Sequence, residues 1–181
     1  MPGVKTLFVG GVRSGKSKLA KHWLESMSRG GDCVLIATCR VCDAEMAARV
    51  ARHQQERGEN WRLLEEHLDP ATALKSLADQ GGFVMLDCIS AWLANLLEEK
   101  LQPQEILDRA DILAQTIART NLSLAIVSAE TGCGTVPLTA LGRLFQDLLG
   151  ETNQILARAC DAVFFVSCGL ALPLKGSIKI E

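Results

Sequence analysis

The residues with the clearest chemical capacity lie near the amino end: Gly10-Gly11-Val12-Arg13-Ser14-Gly15-Lys16-Ser17. Gly10, Gly15, Lys16 and Ser17 fill the pattern G-x-x-x-x-G-K-S/T. Glycines let a backbone turn bring its N–H groups against phosphate oxygens, the lysine reaches the outer phosphates, and the hydroxyl serves magnesium. An apolar run, Leu7–Val9, precedes the loop and a helix-like segment, Lys16–Ser28, follows it. The positive end of that helix would face the same phosphates. This strand–loop–helix context separates the motif from a chance match in a glycine-bearing loop.

Two further stretches could do chemistry. Phe83-Val84-Met85-Leu86-Asp87 is a buried-strand pattern ending in a carboxylate. Downstream of a phosphate loop, such an acid sits near the magnesium ion. Ser17 and Asp87 are therefore the expected metal residues. The other stretch runs from Asp43 to Arg57 and carries His53 among Arg49, Arg52 and Arg57. Spacing alone reads His53 as a hydrogen-bonded, partly buried histidine on an apolar helix face more readily than as a catalyst. His22 and His67 read as surface residues.

The elements that must position these residues alternate between strand and helix. Strands are expected at Leu7–Val9, Cys33–Ala37, Phe83–Asp87, Leu124–Val127 and Ala162–Val166. Helices are expected at Lys16–Ser28, from Asp43 to about Gln55, from Pro70 to about Asp79, at Ala91–Lys100, Pro103–Thr120 and about Leu138 to Ala159. Asp69-Pro70 is a cap followed by proline at the first helical position. Gly58 through Arg62 reads as a loop carrying Trp61, and Leu172–Ile180 as a hairpin about Gly176-Ser177. The alternation predicts an α/β fold of the P-loop NTPase kind, a largely parallel sheet with helices on both faces, spanning residues 1–181 as a single domain. Ligands of such sheets bind at the carboxyl ends of the strands. Gly10, Thr38, Asp87 and Ser128–Glu130 all fall there.

Composition bounds the function. Of 181 residues, 48% are hydrophobic and 22% charged, an ordinary globular balance. The formal charge of −2 offers no global basic field for nucleic acid or an anionic membrane. No apolar run approaches the roughly 18–20 residues that span a bilayer. Met1–Lys5 leads directly into the phosphate loop, without a signal peptide, so a cytoplasmic location is expected. The seven cysteines are odd in number and irregular in spacing; Cys39-x-x-Cys42 is the one close pair, and it lacks partners for a zinc site.

Several spaced motifs together resemble the family of bifunctional adenosylcobinamide kinases and adenosylcobinamide-phosphate guanylyltransferases of cobalamin biosynthesis. Gly10 to Ser17 is similar to that family's G-G-A/V/T-R-S-G-K-S. Ile36-Ala37-Thr38, Asp43, Glu45-Met46, Arg49-Val50-x-x-His53-x-x-x-Arg57, Trp61 and Glu65 follow in order. Glu130-Thr131-Gly132-x-Gly134-x-Val136-Pro137 resembles N-E-V-G-x-G-I/V-V-P. Arg143, Phe145, Asp147, Gly150, Asn153-Gln154 and Asp161 also match. Departures are Asp87 where relatives often have Glu, Ala129 for Asn, Thr131 for Val, and the Cys168–Leu172 stretch.

The resemblance implies two reactions. A nucleoside triphosphate, ATP or GTP, phosphorylates the hydroxyl of the aminopropanol arm of adenosylcobinamide. GTP then transfers GMP to that phosphate through a GMP–histidine intermediate, releasing pyrophosphate. His53 matches the histidine, with Lys16 assisting. Gly10, Gly11, Val12, Arg13, Ser14, Gly15, Lys16, Ser17, Ala37, Thr38, Cys39, Gln54, Gln55, Glu56, Arg57, Glu65 and Asp87 match positions that contact the nucleotide or its Mg2+. The partners implied are small-molecule corrinoids and copies of the same chain, a trimer by analogy. The residues alone leave two other readings open: another P-loop small-molecule kinase, or a non-catalytic nucleotide switch.

Overall fold

A computed structural model describes residues 3–40, 60–78 and 81–176. The helix expected from Asp43 to about Gln55, with Arg49, Arg52, His53, Gln54 and Gln55, lies outside the described residues, as do Glu56 and Arg57. So do Cys42 and Ser177–Ile180.

Seven strands form one sheet: β1 (Lys5–Gly10), β2 (Cys33–Ala37), β3 (Trp61–Glu65), β4 (Phe83–Asp87), β5 (Ser123–Ala129), β6 (Ala162–Ser167) and β7 (Leu170–Lys175). Their order is β3-β2-β4-β5-β1-β6-β7. The first six are parallel, and β7 returns antiparallel to β6. Five helices are described: α1 (Lys16–Ser28), α2 (Pro70–Ala78), α3 (Ile89–Glu98), α4 (Pro103–Arg119) and α5 (Ala140–Ala159).

Strand alternation divides the core into two layers. Leu7, Val9, Ile36, Leu86 and Ile126 pack on one face with residues of α2, α3, α4 and α5. Phe8, Leu35, Met85 and Val127 pack on the other with Ala20, Trp23 and Leu24 of α1. The centre of the second layer is aromatic: Phe8 stacks on Phe164 at 5.7 Å and meets Trp23 at 6.0 Å. β1 is buried along its whole length, and this central position fixes where the loop after it emerges.

Several expectations are corrected. Trp61 and Arg62 belong to β3, not to a loop. β3 is an edge strand, so half of its residues face solvent and no continuous apolar run announces it. It is pinned by parallel pairing to β2 and by the Trp61 indole N–H, which donates to Glu25 of α1 at 2.9 Å. A carboxyl-terminal hairpin is formed by β6 and β7 with its turn at Cys168-Gly169; the far arm of the hairpin expected about Gly176-Ser177 lies outside the described residues. The run Leu170–Lys175 is the return strand of the β6–β7 hairpin. α3 starts two residues earlier than expected, directly after Cys88, and α5 starts at Ala140 behind a Thr139 cap. No described helix is long and apolar enough to cross a membrane.

Candidate nucleotide site

The phosphate loop joins β1 to α1. Gly15 has φ of 95°, a left-handed conformation that suits glycine, and precedes the first helical residue, Lys16. The Ser14 N–H donates to the Gly11 carbonyl at 3.2 Å, closing a turn at the loop's tip, where Val12 is exposed. The Lys16 ammonium folds back to the Gly11 carbonyl at 3.1 Å. The Ser14 hydroxyl is buried without a hydrogen-bond partner. An unpartnered buried hydroxyl in a glycine-rich turn that leads into a helix N-terminus is a place for a bound acceptor atom. The loop therefore fits an anionic phosphate group.

The strand register brings most of the predicted polar residues to one edge. Gly10 pairs with Ala129, Asp87 with Val127, and Ala37 with both Asp87 and Glu65. The Glu130 N–H donates to the Gly10 carbonyl at 3.0 Å, joining the loop after β5 to the phosphate loop. β5 stands between β1 and β4, so Asp87 sits two strands from the loop, about 10 Å at ordinary strand spacing. Burial first, then the Asp87 charge, push the Cys88 thiol above its ordinary pKa, and the Lys16 charge acts in the opposite direction. Glu65 lies at the far end, four strands or about 19 Å from β1. The structure does not bring it against the phosphate loop.

Thr38 is fully buried and central to a second set of contacts. Its hydroxyl donates to the Cys88 carbonyl at 2.7 Å and accepts the Cys88 N–H at 2.9 Å. Its own N–H donates to the Asp87 carbonyl at 3.1 Å. The tips of β2 and β4 are thereby locked together. Asn95 of α3 donates to the carbonyls of Thr38 at 2.7 Å and His67 at 2.9 Å. His67 is not a free surface residue: it is partly buried, and its Nδ1 lies 3.2 Å from the Thr38 carbonyl. That oxygen can only accept, so Nδ1 carries the proton in this contact. Beyond Cys39, Arg40 pairs with Glu99 at 2.8 Å and Glu98 at 3.8 Å. Arg40 is the last described residue before the stretch that carries His53.

Sequence reading missed Asn95 and His67. A signal existed for Asn95, a polar residue among the buried Trp92, Leu93 and Leu96. Asn153 of α5 accepts the Ser128 hydroxyl at 2.6 Å and donates to the Ala129 carbonyl at 3.0 Å. Gln146 donates to the Thr131 carbonyl. Together they hold the Ser128–Thr131 stretch. A recess of about 620 Å³ lies at the opposite, amino edge of β2, β3 and β4, among Gly31, Asp32, Trp61 and Arg62. Trp61, one of the family-matching residues, lines it, but none of the described residues assigned to the nucleotide, its metal or catalysis does.

Comparison with known proteins extends the picture. The model of the family described as cobinamide kinase / cobinamide phosphate guanyltransferase matches residues 6–174. The chain is 38% identical to the bifunctional adenosylcobalamin biosynthesis protein CobP of Pseudomonas aeruginosa, covering 96% of this chain and 98% of that one. It is 34% identical to the bifunctional adenosylcobalamin biosynthesis protein CobU of Escherichia coli, covering 93% and 98%. Among solved structures, a KaiC-like protein of Pyrococcus horikoshii superposes with a TM-score of 0.51 at 15% identity, covering 91% of this chain and 71% of that one. A second protein of that archaeon gives 0.55 at 9% identity, covering 98% and 89%. These two likenesses concern the fold, which is P-loop NTPase-like.

Proposed function

Because the chain belongs to the cobinamide kinase / cobinamide phosphate guanyltransferase family, we propose that it catalyses both reactions that this name joins. In the first, the hydroxyl of the aminopropanol arm of adenosylcobinamide attacks the γ-phosphorus of ATP or GTP. The bond to the β-phosphate oxygen breaks, a nucleoside diphosphate leaves, and the hydroxyl proton is released. In the second, an imidazole nitrogen of His53 attacks the α-phosphorus of GTP. A P–N bond forms, the α–β bond breaks, and pyrophosphate leaves. An oxygen of adenosylcobinamide phosphate then attacks the same phosphorus, the P–N bond breaks, and adenosyl-GDP-cobinamide is released.

The observation that carries this reading is the loop from Gly10 to Ser17, with a lysine at its mouth and a buried, unpartnered Ser14 hydroxyl. Within it, the backbone amides and Lys16 stabilise charge that builds on the transferring group. Mg2+, when bound, would neutralise phosphate charge, with the Ser17 hydroxyl and the Asp87 carboxylate as the residues to hold it. Neutral imidazole is a competent nucleophile toward phosphorus, and the P–N bond is labile enough to pass GMP onward. Arg57 and its neighbours Gln54, Gln55 and Glu56 are proposed to contact the same nucleotide, as are Ala37, Thr38, Cys39 and Glu65. We assign the protein to the cytoplasm and to a homo-oligomer, a trimer by family analogy.

Incubation with α-labelled GTP and magnesium tests the second reaction. An acid-labile, alkali-stable protein adduct is expected, absent from His53→Ala. An active wild-type protein that never becomes labelled would sink the histidine intermediate.

A further inference from the structure

The turn between β6 and β7 is two residues long, Cys168 and Gly169, with φ of 52° and 77°. Two successive positive values make it a type I′ hairpin turn. Such a turn closes between its first and fourth residues, here Ser167 and Leu170, so the N–H of Gly169 has no partner inside it. That N–H donates instead to the Ser14 carbonyl at 2.8 Å. The approach is close: a Cβ on Gly15 would lie 3.1 Å from the Gly169 Cα. One strand turn earlier, a Cβ on Gly10 would lie 2.3 Å from the Val166 carbonyl oxygen. The hairpin therefore meets the phosphate loop at two of its three glycines, Gly10 and Gly15.

The Ser14–Gly15 peptide is trans, and in a trans peptide the C=O and N–H point in opposite directions. Holding the Ser14 carbonyl toward the hairpin turns the Gly15 N–H away from it. We infer that the Cys168–Gly169 turn is a positioning element of the nucleotide site: Gly169 fixes the Ser14–Gly15 peptide so that the Gly15 amide is presented to a phosphate of a nucleoside triphosphate. This rests on the nucleotide reading of the loop. The turn lies more than 150 residues along the chain from the loop it supports. An amide that must be preorganised for an incoming phosphate gains from a partner on its far side.

The test uses the full chain with magnesium and GTP. Calorimetry on wild-type protein comes first; no GTP binding there would overturn the nucleotide reading itself. Given binding, Gly169→Val forces a β-branched side chain into a left-handed backbone and disturbs the donor. It is expected to weaken GTP binding about ten-fold. The KM for nucleotide should rise by a similar factor, and kcat should fall with it, because the same amide faces the transferring phosphoryl group. Gly169→Asn tolerates the left-handed conformation and keeps the N–H, so it should bind GTP as wild type does. A Val variant that binds as tightly as wild type, or an Asn variant as weak as Val, overturns the inference. Hydrogen exchange of the wild-type Gly169 amide decides the matter if the Val variant fails to fold. The amide should exchange slowly, and more slowly with GTP; exchange at the rate of an open loop in saturating GTP overturns the proposal.

Discussion

At the scale of single residues, the site is built from groups whose alternatives are costly. The Ser14 hydroxyl is buried without a partner, and Thr38 spends its hydroxyl on both polar groups of Cys88. The Thr38 pairing replaces what water would have supplied, whereas the buried Ser14 hydroxyl goes without it. Lys16 brings a positive charge to the loop, its ammonium donating to the Gly11 carbonyl. Lys16→Ala is expected to lower kcat/KM for phosphoryl transfer by about 10- to 150-fold, the loss of one charge-assisted contact of roughly 1.5–3 kcal/mol. Steady-state kinetics at varied nucleotide concentration measures it; unchanged kinetics would mean that the loop does not hold the transferred phosphate.

At the scale of elements, caps and edges decide where chain segments begin. α2 starts behind Asp69, whose carboxylate accepts the Thr72 N–H at 3.0 Å and its hydroxyl at 2.7 Å. Partial burial alone would raise the Asp69 pKa. The Thr72 hydrogen bonds, with the charges of Arg109 and Lys75, outweigh that effect and hold it below the ordinary value of 3.8. A depressed folded-state pKa means stability that is present above the unfolded value and lost as pH falls through the folded one. Asp69→Ala should therefore cost about 1 kcal/mol at neutral pH. The difference between wild type and variant should shrink below about pH 4. Urea unfolding of both proteins at neutral and acid pH checks this; a difference that grows toward acid would refute the capping role.

At the scale of the whole molecule, one sheet sets the geometry. β1 lies between β5 and β6, so the phosphate loop is flanked by the Glu130 loop on one side and the β6–β7 turn on the other. The single described helix on its second face, α1, makes that layer dependent on aromatic packing. Phe8→Ala removes the residue that touches both Trp23 and Phe164. A loss of about 3–5 kcal/mol in unfolding free energy is expected, read as a lower denaturant midpoint. A loss under about 1 kcal/mol would mean that the α1 layer is not a tightly packed core.

The sequence by itself determined the phosphate loop, the buried strands and the family. Those are properties of local order: glycine spacing, apolar runs and motifs read along the chain. β1, β2, β4, β5 and β6 were legible because a strand buried on both faces is apolar throughout. β3 was not, because an edge strand is half exposed and is specified by its neighbour. Asp87 was placed at a strand tip by pattern, but only strand order put β5 between it and the phosphate loop and left Glu65 at the far edge. The contacts of Asn95 with Thr38, Asn153 with Ala129, and Gly169 with Ser14 were likewise settled by the fold. Each joins residues remote in sequence through backbone groups that every residue carries, and no pattern of side chains along the chain encodes which backbone groups will meet.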